Sequence, residues 1–146
     1  MMKFFWLICG LWCGVGNGAL IWSRRKKYAE LGLSEDEVAR FARGTVLWIL
    51  IPSLLLWGLQ LSAGADLTPE YWRWPAPQRH MAIGLQIVVW LALARWVFVG
   101  DGAETLSAYA RVGSRWGGFM HSPAAMKLWT AFGLIAGAVA LWNGLA

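Results

Sequence analysis

The sequence predicts an all-α fold: a polytopic membrane bundle of four transmembrane helices, joined by short cytoplasmic and interfacial helices. Three observations carry that reading. The 146-residue chain is 58% hydrophobic and only 14% charged, about half the charged share of a soluble domain. Tryptophan occurs 12 times, and amphipathic aromatic rings collect where a bilayer meets water. The charges, moreover, cluster between long apolar runs, a pattern that a soluble core of this size does not require.

The first run, 4–22, holds 19 residues without a charge. At the rise of an α-helix it extends roughly 28 Å, about the thickness of the hydrocarbon layer. A cleaved leader carries its positive charge ahead of the apolar stretch. Here only Lys3 precedes the run, while Arg24, Arg25, Lys26 and Lys27 follow it, so a retained helix is expected. Runs 45–63 and 128–146 are equally free of charge, and 81–100 is interrupted only by Arg95. With connections at 23–44, 64–80 and 101–127, the whole chain, 1–146, reads as one transmembrane domain.

Basic residues set the expected orientation. Segments 23–44 and 95–127 together hold ten of them, and the remaining chain holds three: Lys3, Arg73 and Arg79. Lys and Arg stay on the cytoplasmic side of a membrane. Segments 23–44 and 101–127 are therefore expected inside, with both termini exoplasmic (periplasmic) in a bacterial-type inner membrane.

The connections have their own grammar. Gly32 is placed to close an extension of the first helix. Ser34 followed by Glu37 spells a capping box, Glu35 and Asp36 sit in the positive first turn, and Leu33 with Val38 fits a hydrophobic staple. In the outer connection, Thr68, Pro69 and Glu70 open a short helix, Tyr71, Trp72 and Trp74 supply headgroup anchors, and Pro75 and Pro77 stiffen the return. The stretch from Ala103 to Trp116 is weakly amphipathic. It leads through Gly117 and Gly118 to Ser122-Pro123, a cap and first-position proline for the last helix.

Candidate functional residues are few. Gly10, Gly14 and Gly18 recur every fourth residue, and Gly133 and Gly137 repeat the spacing. Such stripes let helices approach closely, and the first helix against the fourth is the natural pair. Ser34, Glu37, Arg40 and Phe41 make the capped elbow a candidate contact for a partner. Arg95 is the one charge inside a run. Near the cytoplasmic end it is placed to snorkel, or else it marks a transport path. Asn17 and Gln86 are placed to hydrogen-bond between helices. Pro52 frees the carbonyl of Trp48, with Ser53 beside it to satisfy the group.

No cofactor or metal is expected. Cys9 and Cys13 lack further ligands at their depth, and His80 and His121 fall on opposite sides of the membrane. Asp101-Gly102 with Arg111 shares part of a CDP-alcohol phosphotransferase signature, but the spacing differs and the later aspartates are missing. No phosphate loop, nucleophile elbow or zincin helix occurs. The exposed loops give no nucleic acid a place to bind. The expectation is a non-catalytic protein that contacts membrane lipid and holds another membrane protein, or a second copy of itself. It would act as an accessory subunit, assembly factor or immunity-type protein. A small oligomeric transporter or channel, and an enzyme acting at the lipid interface through Asp101 and Glu104 or Asp66 and Glu70, are the alternatives.

Overall fold

A computed structural model of the protein describes residues 2–64, 70–113 and 121–145. Among them there are six helices and no strand. They are α1 (Phe5–Ser23), α2 (Arg25–Glu30), α3 (Glu35–Ala63), α4 (Ala76–Phe98), α5 (Gly102–Gly113) and α6 (Pro123–Leu145). Short 3-10 turns occur at Met2–Phe4 and Tyr71–Arg73. Helices α1, α3, α4 and α6 are each long and apolar enough to cross a membrane. Their outward side chains are apolar as well: Trp12 is 80% exposed, Val88 63% and Trp142 74%. Water would not tolerate so much open hydrocarbon, and the chain has the surface of a membrane protein.

The chain divides into two compact units, Met1–Leu85 and Gln86–Ala146. In the first, α1 lies along α3. The buried residues of α3 are Val38, Ala42, Ser53, Leu56 and Gln60, with Val46 and Ile49 half-buried among them. These positions step by three and four, the spacing that keeps one seam of a helix on a neighbour. In the second unit, α5 packs on α6. Ala103, Ser107 and Tyr109 are buried while Glu104 and Arg111 are exposed.

The elbow forms as its local chemistry dictates. Gly32 takes φ of +85°, and its N–H donates to Ala29 while that of Leu33 donates to Tyr28. Those two bonds terminate α2 with a glycine in the left-handed region. Ser34 Oγ then accepts from the Glu37 N–H at 3.3 Å, and Glu37 Oε2 accepts from the Ser34 N–H at 2.8 Å. The reciprocal pair starts α3, and Val38 behind it is fully buried.

Some boundaries differ from the sequence reading. Helix α4 begins at Ala76 rather than 81 and ends at Phe98 rather than 100. The N–H of Arg79 donates to the carbonyl of Pro75 at 2.9 Å. Pro77 therefore lies within the first turn, where a missing N–H costs nothing, and the polar stretch 78–80 continues the helix. Other boundaries agree with that reading: the elbow helix runs unbroken into the second apolar run, and the last helix begins at Pro123, where Ser122 Oγ accepts from the Ala125 N–H. Thr68, Pro69, Gly117 and Gly118 lie outside the described residues.

Candidate functional site

The glycine stripe of α1 is used inside the chain. A Cβ on Gly10 would come within 2.7 Å of Ser53 Cβ, and one on Gly14 within 3.3 Å of the Val46 carbonyl oxygen. One on Gly18 would collide with Val46 Cγ2 and stand 3.2 Å from the Ala42 carbonyl oxygen. All three glycines thus seat α1 on α3. The expected pairing of the first span with the last is corrected: the second span occupies the stripe. The reason is connectivity, since a capped elbow of about ten residues presents α3 to α1 first.

Gly10–Val15 is a π-helical turn, in which the Gly16 N–H reaches back five residues to the Leu11 carbonyl. Next to it, Asn17 Nδ2 donates to the Cys13 carbonyl. Asn17 was expected to bond across helices; instead its amide serves its own helix. Ser53 does likewise, its Oγ donating to the Ile49 carbonyl at 2.8 Å rather than to that of Trp48. A short polar side chain surrounded by hydrocarbon finds the carbonyl of its own preceding turn nearest. Cys9 is half-buried and Cys13 exposed, and neither forms a disulfide.

At the far end of this pair the sequence concealed an aromatic knot. Trp57 Nε1 donates to the Lys3 carbonyl at 3.0 Å, and the Phe4 ring stands 6.4 Å from that of Trp57. Tyr71 sits among Trp6, Trp72 and Trp74, with ring centroids 5.3 to 6.4 Å away. Trp74 is 2% exposed and Gln60 is fully enclosed. Burial pushes the Tyr71 phenol above its ordinary value. Arg73 Nε pairs with Glu70 at 2.8 Å on the open side. The run of Tyr and Trp had signalled interfacial anchors; only a fold could show that Tyr71 stands by Trp6 of α1, and that Trp57 of α3 bonds a residue just ahead of that helix.

The elbow residues divide by role. Ser34 and Glu37 are committed to the helix start, whereas Arg40 is exposed. Phe41 is half-buried, and its carbonyl accepts from Thr45 Oγ1 at 2.9 Å. Tyr28, on the same elbow, is 3% exposed. Burial raises its phenol above the usual range, and the neighbouring Arg24 charge opposes that rise.

In the second unit, Arg95 is exposed in the last turn of α4. That location lets its stem lie on apolar surface while the guanidinium leaves it. Gly137 and Gly133 part company. A Cβ on Gly137 would meet the Trp90 ring at 2.6 Å, so this glycine is filled from α4. A Cβ on Gly133 would meet no described atom within 4 Å beyond the backbone of its own helix. Ala136 and Ala140, three and seven residues on, are also exposed. The three small residues share one face of α6.

No family model, curated protein or solved structure matches this chain.

Proposed function

We propose that the protein is a non-catalytic, multi-pass protein of a bacterial-type inner membrane that works by holding another membrane protein. In this reading both termini are exoplasmic, and segments 23–44 and 101–127 are cytoplasmic. The observation that carries the proposal is the open face Gly133, Ala136 and Ala140. The equivalent stripe on α1 meets a helix at every glycine, whereas this one has Gly133 uncovered. A face of small residues gains little from lipid and much from a helix whose backbone can come close. The exposed Arg40 of the elbow offers a second contact on the same molecule.

Purification in mild detergent, with identification of what is retained, tests the reading. A stoichiometric membrane protein, or a second copy of this chain, is the expected result. Purification as a lone monomer, together with solute flux into vesicles that Arg95→Ala abolishes, would replace it with transport. The orientation is checked separately, in a background lacking Cys9 and Cys13. Cysteines introduced by Ser34→Cys and Thr68→Cys should label from opposite sides, with the Ser34 position protected from an outside reagent. Outside labelling there reverses the topology.

A further inference from the structure

We propose that α1 and α3 form a binding site for one anionic phospholipid at the basic end of their contact. There the two helices leave an open groove of about 530 Å³, a size within the usual range of small-molecule sites. Its lining includes small residues of both helices: Gly18 and Ala19 from α1, Ala39 and Ala42 from α3. Trp22 closes one side, and Arg43 stands at the other.

The lining is entirely hydrocarbon, so Arg43 contributes its methylene stem to the wall and carries its charge beyond it. Its Nε donates to the Ala39 carbonyl at 3.3 Å, which fixes the stem and leaves both terminal nitrogens free to donate further. Among the described residues no carboxylate pairs with Arg43. A second guanidinium, that of Arg25, lies 5.0 Å from the centre of the Trp22 ring and 3.6 Å from Glu35. The guanidinium over Trp22 thus has a carboxylate beside it, and that of Arg43, the charged residue of the lining, has none among the described residues.

This division matches one class of occupant. A phospholipid supplies an acyl chain for the groove and, at its end, a phosphate for a planar donor fork. A partner's transmembrane helix would fill the groove with side chains and meet Arg43 only if it carried a carboxylate at that level, whereas a phospholipid carries its phosphate at the membrane surface as a matter of its chemistry. The net negative charge of an anionic headgroup is also drawn to the basic run 24–27 that follows α1 in the chain. The site is separate from the Gly133 face, so it stands or falls independently of the partner proposed there.

Native mass spectrometry of the full chain, solubilised with added phosphatidylglycerol or with phosphatidylcholine of the same acyl chains, reads the site directly. The wild type should retain one phosphatidylglycerol under activation that strips phosphatidylcholine. Arg43→Gln should cut that preference about fivefold, and Arg43→Lys should restore part of it. Ala19→Phe fills the groove from an exposed lining position, and should abolish retention of both lipids with helical content unchanged by circular dichroism. Equal retention of the two lipids by the wild type would overturn the proposal, as would a preference that survives Arg43→Gln. Ala19→Cys in the background lacking Cys9 and Cys13 gives a further check. Its cross-linking at full yield to a second copy would mean that protein, not lipid, fills the groove.

Discussion

The pair α1–α3 and the last helix α6 are built from the same materials and finish differently. Both carry glycines spaced by four within an uncharged run. In the first pair each of the three glycines has a backbone or side chain of α3 against it. On α6, Gly137 meets a single tryptophan ring and Gly133 meets nothing described. Of the apolar window of α3, 17% is buried within the chain, against 6% for α6. Since lipid tails are as apolar as leucine, helices in a membrane associate through close packing rather than through escape from water. A glycine stripe therefore has value only where something fills it. Its presence on α6, where no described neighbour fills Gly133, is what separates a finished contact from an unfinished one.

The strongest way to break this comparison is to block the finished contact. Gly14→Leu should lower stability by about 2–3 kcal/mol. Its Cβ would press on the Val46 carbonyl oxygen at 3.3 Å and the Leu50 nitrogen at 3.4 Å, and backbone cannot rotate away. Better helix propensity offsets at most about 1 kcal/mol of that. Leu11→Ala, at an exposed position of the same helix, should cost far less. Thermal unfolding in detergent checks both, and equal tolerance would mean that α1 does not rest on α3 through this stripe. Gly137→Leu should fall below Gly14→Leu, near 1 kcal/mol, because its obstacle is the edge of the Trp90 ring at 2.6 Å. A side chain can swing aside. If the additional change Trp90→Ala leaves that loss intact, the contact is not its cause.

What was legible in the sequence follows from range. The four spans were visible because uncharged length is a property of composition. The elbow was visible because a capping box, a staple and a left-handed glycine each involve residues within five positions of one another: Ser34 with Glu37, Leu33 with Val38, Gly32 with Ala29. The pairing of helices was not, since Gly10, Gly14 and Gly18 announce a close neighbour without naming it. The π-helical turn at Gly10–Val15 was also hidden, because one extra residue in a turn leaves the hydropathy of the run unchanged. The polar residues Asn17 and Ser53 misled for a related reason. Asn17 was expected to bridge helices and Ser53 to satisfy the carbonyl of Trp48; each instead bonds the carbonyl four residues back on its own helix. The knot joining Lys3, Trp57 and Tyr71 depends on residues more than fifty positions apart, which no periodicity encodes.

A smaller test asks whether the elbow contributes to the finished half. Ser34→Ala removes the hydroxyl that accepts from the Glu37 N–H and leaves Glu37 with only the Ser34 N–H to hold. The expected loss is about 1 kcal/mol. Hydrogen exchange should show faster opening at 35–38, with the rest of α3 unchanged. Ser34→Asp keeps an acceptor at the cap and should recover most of the protection. Uniform loosening along α3 would mean that the helix start is set by packing of Val38 instead.

The smallest effect on the protein's own stability is expected where the proposed function predicts the largest effect on its partner. Gly133→Leu adds a side chain where no described atom lies within 4 Å, so unfolding should move by less than about 0.5 kcal/mol. The same leucine would hold a second helix away from the α6 backbone along the face that Ala136 and Ala140 continue. Stability and association are therefore uncoupled at this residue, whereas at Gly14 they cannot be, because there the neighbour belongs to the same chain. The measurement is paired: unfolding of the purified variant, and recovery of whatever co-purifies with the wild type. Unchanged unfolding with the partner lost identifies the open face as the contact. Unchanged unfolding with full recovery would show that Gly133 looks at lipid, and would move the search for the contact to Arg40 on the elbow. A loss of stability comparable to that of Gly14→Leu would erase the distinction between the two stripes and, with it, the reason for placing a partner on α6.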